Sequence, residues 1–167
     1  KTSDREKHGK NKADKILLLF GFILKYKGLA ILIDAMKLIS SNIQAPTDLK
    51  LLIAGEFYDD KKIYEEQIDR LGIREQLILH TDFIPDSEVK YYLCAADVLV
   101  QPYRNATQSG VTPLAYHFEI PMIVTNVGGL PALVPDNKAG MVAEPNAASL
   151  PQKIMDYFVN GGNYVFS

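Results

Sequence analysis

The sequence predicts an α/β domain: a doubly wound parallel sheet of about six strands with helices on both faces. Three observations predict it. Short runs such as Lys15–Phe20 and Leu49–Ala54 are apolar but for one lysine each, as strands buried on both faces tend to be. Longer segments with apolar residues at helical spacing separate them, so strand and helix alternate along the chain. The unusual loops follow Phe20, Ala54, His80, Val100 and Thr125, at the strand ends where such sheets bind ligands.

Lys15–Phe20 is the first predicted strand, closed by Gly21. From Gly28, residues Leu29, Leu32, Ile33, Met36 and Ile39 fall on one helical stripe that ends near Asn42, before Pro46. Leu49–Ala54 is the second strand. Asp59-Asp60 starts a helix whose buried side holds Ile63 or Tyr64, Ile68 and Leu71, stopped by Gly72. Leu77–His80 is the third strand, and Asp86 is expected to cap a helix in which Val89, Tyr92, Leu93 and Ala96 share a face. The fourth strand runs from Asp97 to Val100 and stops at Gln101-Pro102. After a polar loop from Tyr103 to Gln108, a helix is expected to start at Ser109-Gly110, with Val111, Leu114, Ala115 and Phe118 on its stripe. Pro121 closes it. Met122–Val124 is the fifth strand, 129–134 a turn or short helix, Gly140–Ala143 the sixth strand, and Ala147–Val159 the last helix.

Composition narrows the function classes. The chain has 167 residues, enough for one domain with a real core, and a formal charge of −2, which implies no broad basic surface for nucleic acid. Lys and Arg do cluster in residues 1–14, read as a flexible, solvated basic lead-in ahead of a folded 15–167. No apolar run approaches transmembrane length, and no signal peptide is recognisable, so a cytoplasmic location is expected. The single cysteine, Cys94, excludes an internal disulfide and reads as a small core residue. His8, His80 and His117 form no metal-ligating or catalytic set, so no metal is expected. The first residue is Lys and the chain opens on a polar stretch, which suggests a piece of a longer polypeptide.

The segment from Gln101 to Gly129 reads strand, loop, helix, strand. It places free backbone N–H groups of a helix start just past a strand end, a ready anion site. The order Ala95-Ala96-Asp97-Val-Leu-Val-Gln-Pro102, a polar loop, a helix, then Pro121-Met-Ile-Val-Thr-Asn-Val-Gly-Gly-Leu-Pro131 resembles the C-terminal half of a retaining, nucleotide-sugar-dependent glycosyltransferase of the group 1 family (family 4). Those enzymes are of the GT-B type, with two Rossmann-like domains, and the resemblance runs from about Ile16 to Phe158.

The resemblance implies one Rossmann-like half of a GT-B fold: the donor-binding domain, with the acceptor domain on a preceding part of the polypeptide. It implies front-face transfer of a sugar from a nucleotide-diphosphate sugar with retention, no metal and no cofactor, and an isolated fragment that is inactive. Gly21-Phe-Ile-Leu-Lys-Tyr-Lys-Gly28 is similar to the family's Gly-Arg-Leu-x-x-x-Lys-Gly, so Lys27 takes the place of the diphosphate lysine and Gly21 and Gly28 frame it. The family's Arg position is Phe22, which lacks the two-pronged donor set; Lys25 or Arg104 is available as a substitute. Glu56 either faces the nucleotide or is a solvated loop acid. Phe83 and Ile84 match the residues against which the nucleobase lies, or else plug the core beneath the loop. The family's Glu-x7-Glu falls on Ala106 and Leu114, so neither carboxylate role carries over; Thr107, Gln108, Ser109, Gly110 and Val111 remain to meet a diphosphate-sugar. Gly128-Gly129 also matches a turn that approaches the donor. Two other readings stand beside this one. One is a non-catalytic nucleotide-sugar binding module of the same fold. The other is a flavodoxin-like or receiver domain, disfavoured because Gly21 and His80 stand where a receiver carries its acidic pair and its phospho-accepting Asp. Membrane association is expected only through the missing part.

Overall fold

The computed structural model describes residues 15–46, 48–105, 110–134 and 139–160. Its strands β1 (Lys15–Phe20), β2 (Leu49–Ala54), β3 (Leu77–His80), β4 (Val98–Gln101), β5 (Met122–Thr125) and β6 (Gly140–Ala143) form one parallel sheet in the order β3-β2-β1-β4-β5-β6. The helices are α1 (Leu29–Ser40), α2 (Lys61–Leu71), α3 (Val89–Ala95), α4 (Thr112–His117), α5 (Leu130–Leu133) and α6 (Ser149–Asn160). This is the doubly wound, Rossmann-like architecture.

Side-chain alternation along each strand divides the core into two layers. Leu17 and Leu19 of β1, Leu51 and Ile53 of β2, and Val98 and Val100 of β4 pack with α1, α2 and α6. Ile16 and Leu18, Leu52 and Ala54, and Leu99 point the other way, against Tyr92 and Leu93 of α3, Ala115 of α4 and Leu130 of α5. Because both faces are covered, most strand residues are apolar, with Lys50 the one charge inside a strand, which is why the strands could be read from the sequence. Asp97 locks the centre of the sheet. Its carboxylate accepts from the Ile16 N–H at 2.8 Å, and its own N–H donates to the Ile16 carbonyl at 2.9 Å.

Helix ends follow local chemistry. The Asp60 carboxylate caps α2 by accepting from the Lys62 N–H at 3.0 Å, and Gly72 ends the helix in the left-handed region. Asp60→Ala is expected to lower stability by about 1 kcal/mol, read as a shifted urea midpoint with an unchanged slope.

Several expectations are corrected. Asp86 does not cap α3: residues Asp86–Glu88 form a 3-10 turn, and α3 begins at Val89 with no side-chain cap. The strand after α3 is Val98–Gln101, one residue later than expected, because Asp97 spends its polar groups tying β1. Helix α4 starts at Thr112 and has six residues. Val111 and Phe118, counted into its stripe, are its flanking turn residues, and the expected start at Ser109 lies outside the described residues. No helix among the described residues is long and apolar enough to cross a membrane.

Candidate functional site

Strand order reverses at β1, which pairs with β2 on one side and β4 on the other. In open α/β sheets the crevice beyond the carboxyl ends at such a point is where ligands bind. Here it is formed by the loop after β1 (residues 21–28) and the loop after β4.

The two loops are pressed together. Gly28 has φ 76°, and a Cβ added there would lie 1.8 Å from the Pro102 carbonyl oxygen. One residue-pair along, the Arg104 N–H donates to the Tyr26 carbonyl at 2.6 Å. Tyr103 is buried and meets Tyr26 edge to face at 5.7 Å. A buried polar set holds the β4 end: the Gln101 amide donates to Thr112 Oγ1 at 3.0 Å, and Thr125 Oγ1 donates to the Tyr103 carbonyl at 2.6 Å. These bonds fix the chain from Gln101 to Arg104 from below.

Lys27, in the 3-10 turn Lys25–Lys27 that leads into α1, is only 8% exposed. Its ammonium lies 6.0 Å from the centre of the Tyr103 ring. A Cβ on Gly21 would stand 3.0 Å from Lys27 Nζ and 3.7 Å from Val111 Cγ2, so Gly21 (φ 116°) leaves room for the lysine beneath the loop that precedes α4. No carboxylate among the described residues comes within 4 Å of this ammonium. Burial without a counter-charge pushes its pKa below the ordinary value of 10.5. A buried cation without a partner costs stability, and an anion delivered to it recovers that cost. Lys25, by contrast, is exposed.

Beside Lys27 a cleft of about 190 Å³ opens over the ends of β1, β2 and β3. Gly21, Phe22, Gly55, Glu56, Phe83 and Ile84 line it. Gly55 (φ 142°) lets the β2 end come against the β1 end; a Cβ there would lie 1.8 Å from the Gly21 oxygen. Phe83 is 69% exposed and so does not plug the core, whereas Ile84 is partly buried against it. The structure therefore brings Gly21, Glu56, Phe83 and Ile84 to one cleft, with Lys27 and Val111 meeting at its Gly21 edge. Gly110 is exposed with open space around it. Ala106, Thr107, Gln108 and Ser109 lie outside the described residues. Leu114 is partly buried against the core. Lys25 and Arg104 line a different cleft, of about 260 Å³, with Asp59 and Tyr64. The Tyr64 hydroxyl there donates to Asp59 at 2.9 Å, and its pKa is pushed up to about 12 by burial and by that carboxylate. Among the described residues no group of three or more His, Cys, Asp or Glu side chains could hold a metal ion. His80 instead pairs its Nδ1 with the Tyr92 hydroxyl at 3.1 Å.

Two features of the site were missed by sequence reasoning: Tyr103, which covers Lys27, and Tyr58, which stacks on Phe22 with ring centres 4.6 Å apart. Neither was given a role of its own, and each acts across two loops far apart in sequence.

Comparison with known proteins agrees with this architecture. Residues 1–163 match the family described as "Glycosyl transferases group 1". A D-inositol 3-phosphate glycosyltransferase of Pseudarthrobacter chlorophenolicus is 25% identical over 149 residues, covering 89% of this chain and 35% of that protein. The chain thus spans about a third of the length of the curated relatives it matches. Among solved structures, the C-terminal domain of a glycosyl transferase group 1 protein from Francisella tularensis superposes with a TM-score of 0.72 at 22% identity, covering 92% of this chain and 80% of that one. Anabaena HepE in complex with UDP-glucose gives 0.81 at 19% identity, over 95% of this chain and 43% of that one. With a six-stranded Rossmann-like sheet, a switch-point site and a family match across nearly its whole length, the chain belongs to the group 1 glycosyltransferases.

Proposed function

We propose that this chain is the donor-binding domain of a retaining glycosyltransferase, holding a nucleotide-diphosphate sugar at the switch point while an N-terminal domain of the same polypeptide presents the acceptor. One observation carries the proposal: Lys27, buried and without a carboxylate partner among the described residues, at the junction of Gly21 and Val111. In this reading the bond from the anomeric carbon to the diphosphate oxygen breaks with its electron pair on the diphosphate. The acceptor oxygen bonds to the same face of the sugar, and its proton ends on the departing diphosphate. Charge grows on the diphosphate as the bond breaks, and a cation already in place stabilises that state more than the ground state. Gly21, Glu56, Phe83 and Ile84 border the nucleotide end, and Gly110 and Val111 the sugar end. The diphosphate charge is met by Lys27 and backbone N–H groups, with no metal or cofactor required. The match to HepE supports the ligand class, since that protein was solved with UDP-glucose.

Thermal unfolding of the 167-residue chain with nucleoside diphosphates and their sugars tests the reading. At a hundred times Kd the best of them should raise Tm by about 5–10 °C. No shift with any nucleoside diphosphate at millimolar concentration would end it, and turnover by this chain unaided would refute the need for a second domain.

A second reading, a binding module without catalysis, is favoured by Leu114. At a place where the family carries a carboxylate, this chain packs an aliphatic side chain against the core. Joined to the remainder of its polypeptide, a module of that kind binds sugar nucleotides and transfers nothing.

A further inference from the structure

Phe22 stands where the family's second diphosphate cation is expected, and the fold gives it a different setting. It is 47% exposed, although a large apolar side chain in a loop gains nothing from water. One face of its ring is backed by Tyr58, at 4.6 Å and an interplanar angle of 15°, and Tyr58 is itself 59% exposed. The backbone holds the pair together. The Ile23 N–H donates to the Glu56 carbonyl at 2.8 Å, and the Tyr58 N–H donates to the Ile23 carbonyl at 3.0 Å, a short parallel bridge between the loops after β1 and β2. Phe22 lines the cleft beside Lys27, whereas Tyr58, stacked on its ring, does not. The result is a preformed flat wall, braced from the rear, on one side of a cleft that also carries the exposed ring of Phe83. At about 190 Å³ the cleft is smaller than the roughly 300–1,000 Å³ that encloses a whole drug-sized ligand. A nucleobase is small enough to enter it, and the aromatic rings on its walls suit a planar group.

We propose that Phe22 stacks on the nucleobase of the donor and that Tyr58 is the positioning residue that keeps the Phe22 ring in place. This rests on the donor-binding reading above and adds to it a division of labour. Lys27 alone supplies side-chain charge to the diphosphate, and the affinity that a second cation would contribute comes from aromatic contact with the base. Binding by this chain is then less sensitive to salt than binding by two cations, because stacking is not screened.

Calorimetry on the 167-residue chain tests it, with uridine, adenosine, guanosine and their diphosphates as probes. Phe22→Ala and Phe22→Leu should weaken the preferred nucleoside and its diphosphate by the same factor, about tenfold, the effect of losing one stacked base. The leucine keeps apolar bulk without a ring face, so a matching loss in both variants points to stacking. Tyr58→Ala should weaken both probes about threefold and Tyr58→Phe should restore them, since a ring without the hydroxyl braces Phe22 as well. Phe22→Arg should weaken the nucleoside while making diphosphate binding steeper in salt. Unchanged nucleoside affinity in Phe22→Ala overturns the proposal, and if Lys27→Ala still weakens the diphosphate the donor-binding reading survives that result. A loss of diphosphate affinity in Phe22→Ala that the nucleoside does not share also overturns it. Wild-type chain that takes up none of the six probes sinks the proposal and the reading together.

Discussion

Lys27→Met should make the unliganded domain more stable, by about 1 kcal/mol, while weakening nucleoside diphosphate binding roughly 10- to 150-fold. The opposite signs are the content of the prediction. Methionine fills much the same space beside Tyr103 and removes a cation that has no carboxylate near it among the described residues. The cost of burying that charge disappears, and so does the charge-assisted contact to the ligand. Chemical denaturation without ligand and calorimetry with it measure the two effects separately. A fall in stability would mean that the ammonium is held by the fold, and Lys27 would then be a structural residue. The pH dependence follows from the direction of the shift. The folded-state pKa lies below the unfolded 10.5, so between the two values the unfolded chain binds more protons and stability rises with pH. Below the folded value the penalty of the buried ammonium is present in full. Ligand binding runs the other way: a diphosphate favours the protonated lysine, so affinity falls as pH rises through the lowered pKa. Binding within that window takes up protons, which titrations in buffers of different ionisation heat detect.

Gly28→Ala is the second large effect, and Gly72→Ala is its control. Both glycines are left-handed, at φ 76° and 67°, so an alanine at either costs about 1 kcal/mol in backbone conformation. At Gly72 nothing lies within 4 Å of the added carbon, and the loss should stop there. At Gly28 the carbon would stand 1.8 Å from the Pro102 oxygen, a backbone atom in a loop tied down by Tyr103, Gln101 and Thr125. Relief requires the loops after β1 and β4 to part. The expected cost exceeds about 3 kcal/mol, with loss of the cleft beside Lys27, seen as a Tm depression several times that of Gly72→Ala. Equal depressions at the two positions would show that the loop contact yields easily.

How far the sequence could be read depended on how local the determinants were. β1, β2, β3 and β6 were legible to the residue because each is an apolar run whose ends are set by its own neighbours, Gly21 and Gly55 among them. α4 was legible as a helix but not in extent. Val111, Leu114, Ala115 and Phe118 have helical spacing, yet Val111 faces Gly21 and Phe118 lies in the turn before Ile120 and Pro121. Asp97 looked like the first residue of a strand because its partner Ile16 lies 81 residues away and leaves no local mark. At the site, the framing glycines were visible as a motif. The burial of Lys27 was not, because Tyr103 arrives from another loop to cover it. Phe22 could be recognised only as a departure; its role depends on Tyr58, which the bridge at Ile23 brings alongside.

The pairing of β1 with β4 has a consequence for how the domain assembles. Only Leu17 with Val98 and Leu18 with Leu99 are in register across that junction, against six pairs between β1 and β2, and Asp97 adds its two bonds to Ile16. Residues 15–80 already contain three adjacent strands and can zip up as they emerge from the ribosome, whereas the junction must wait for residues some eighty positions downstream. The β1–β4 junction is therefore the late step of sheet assembly, and what then closes it is the pair of core layers that run across it, Leu17 with Val98 on one face and Ile16 with Leu99 on the other.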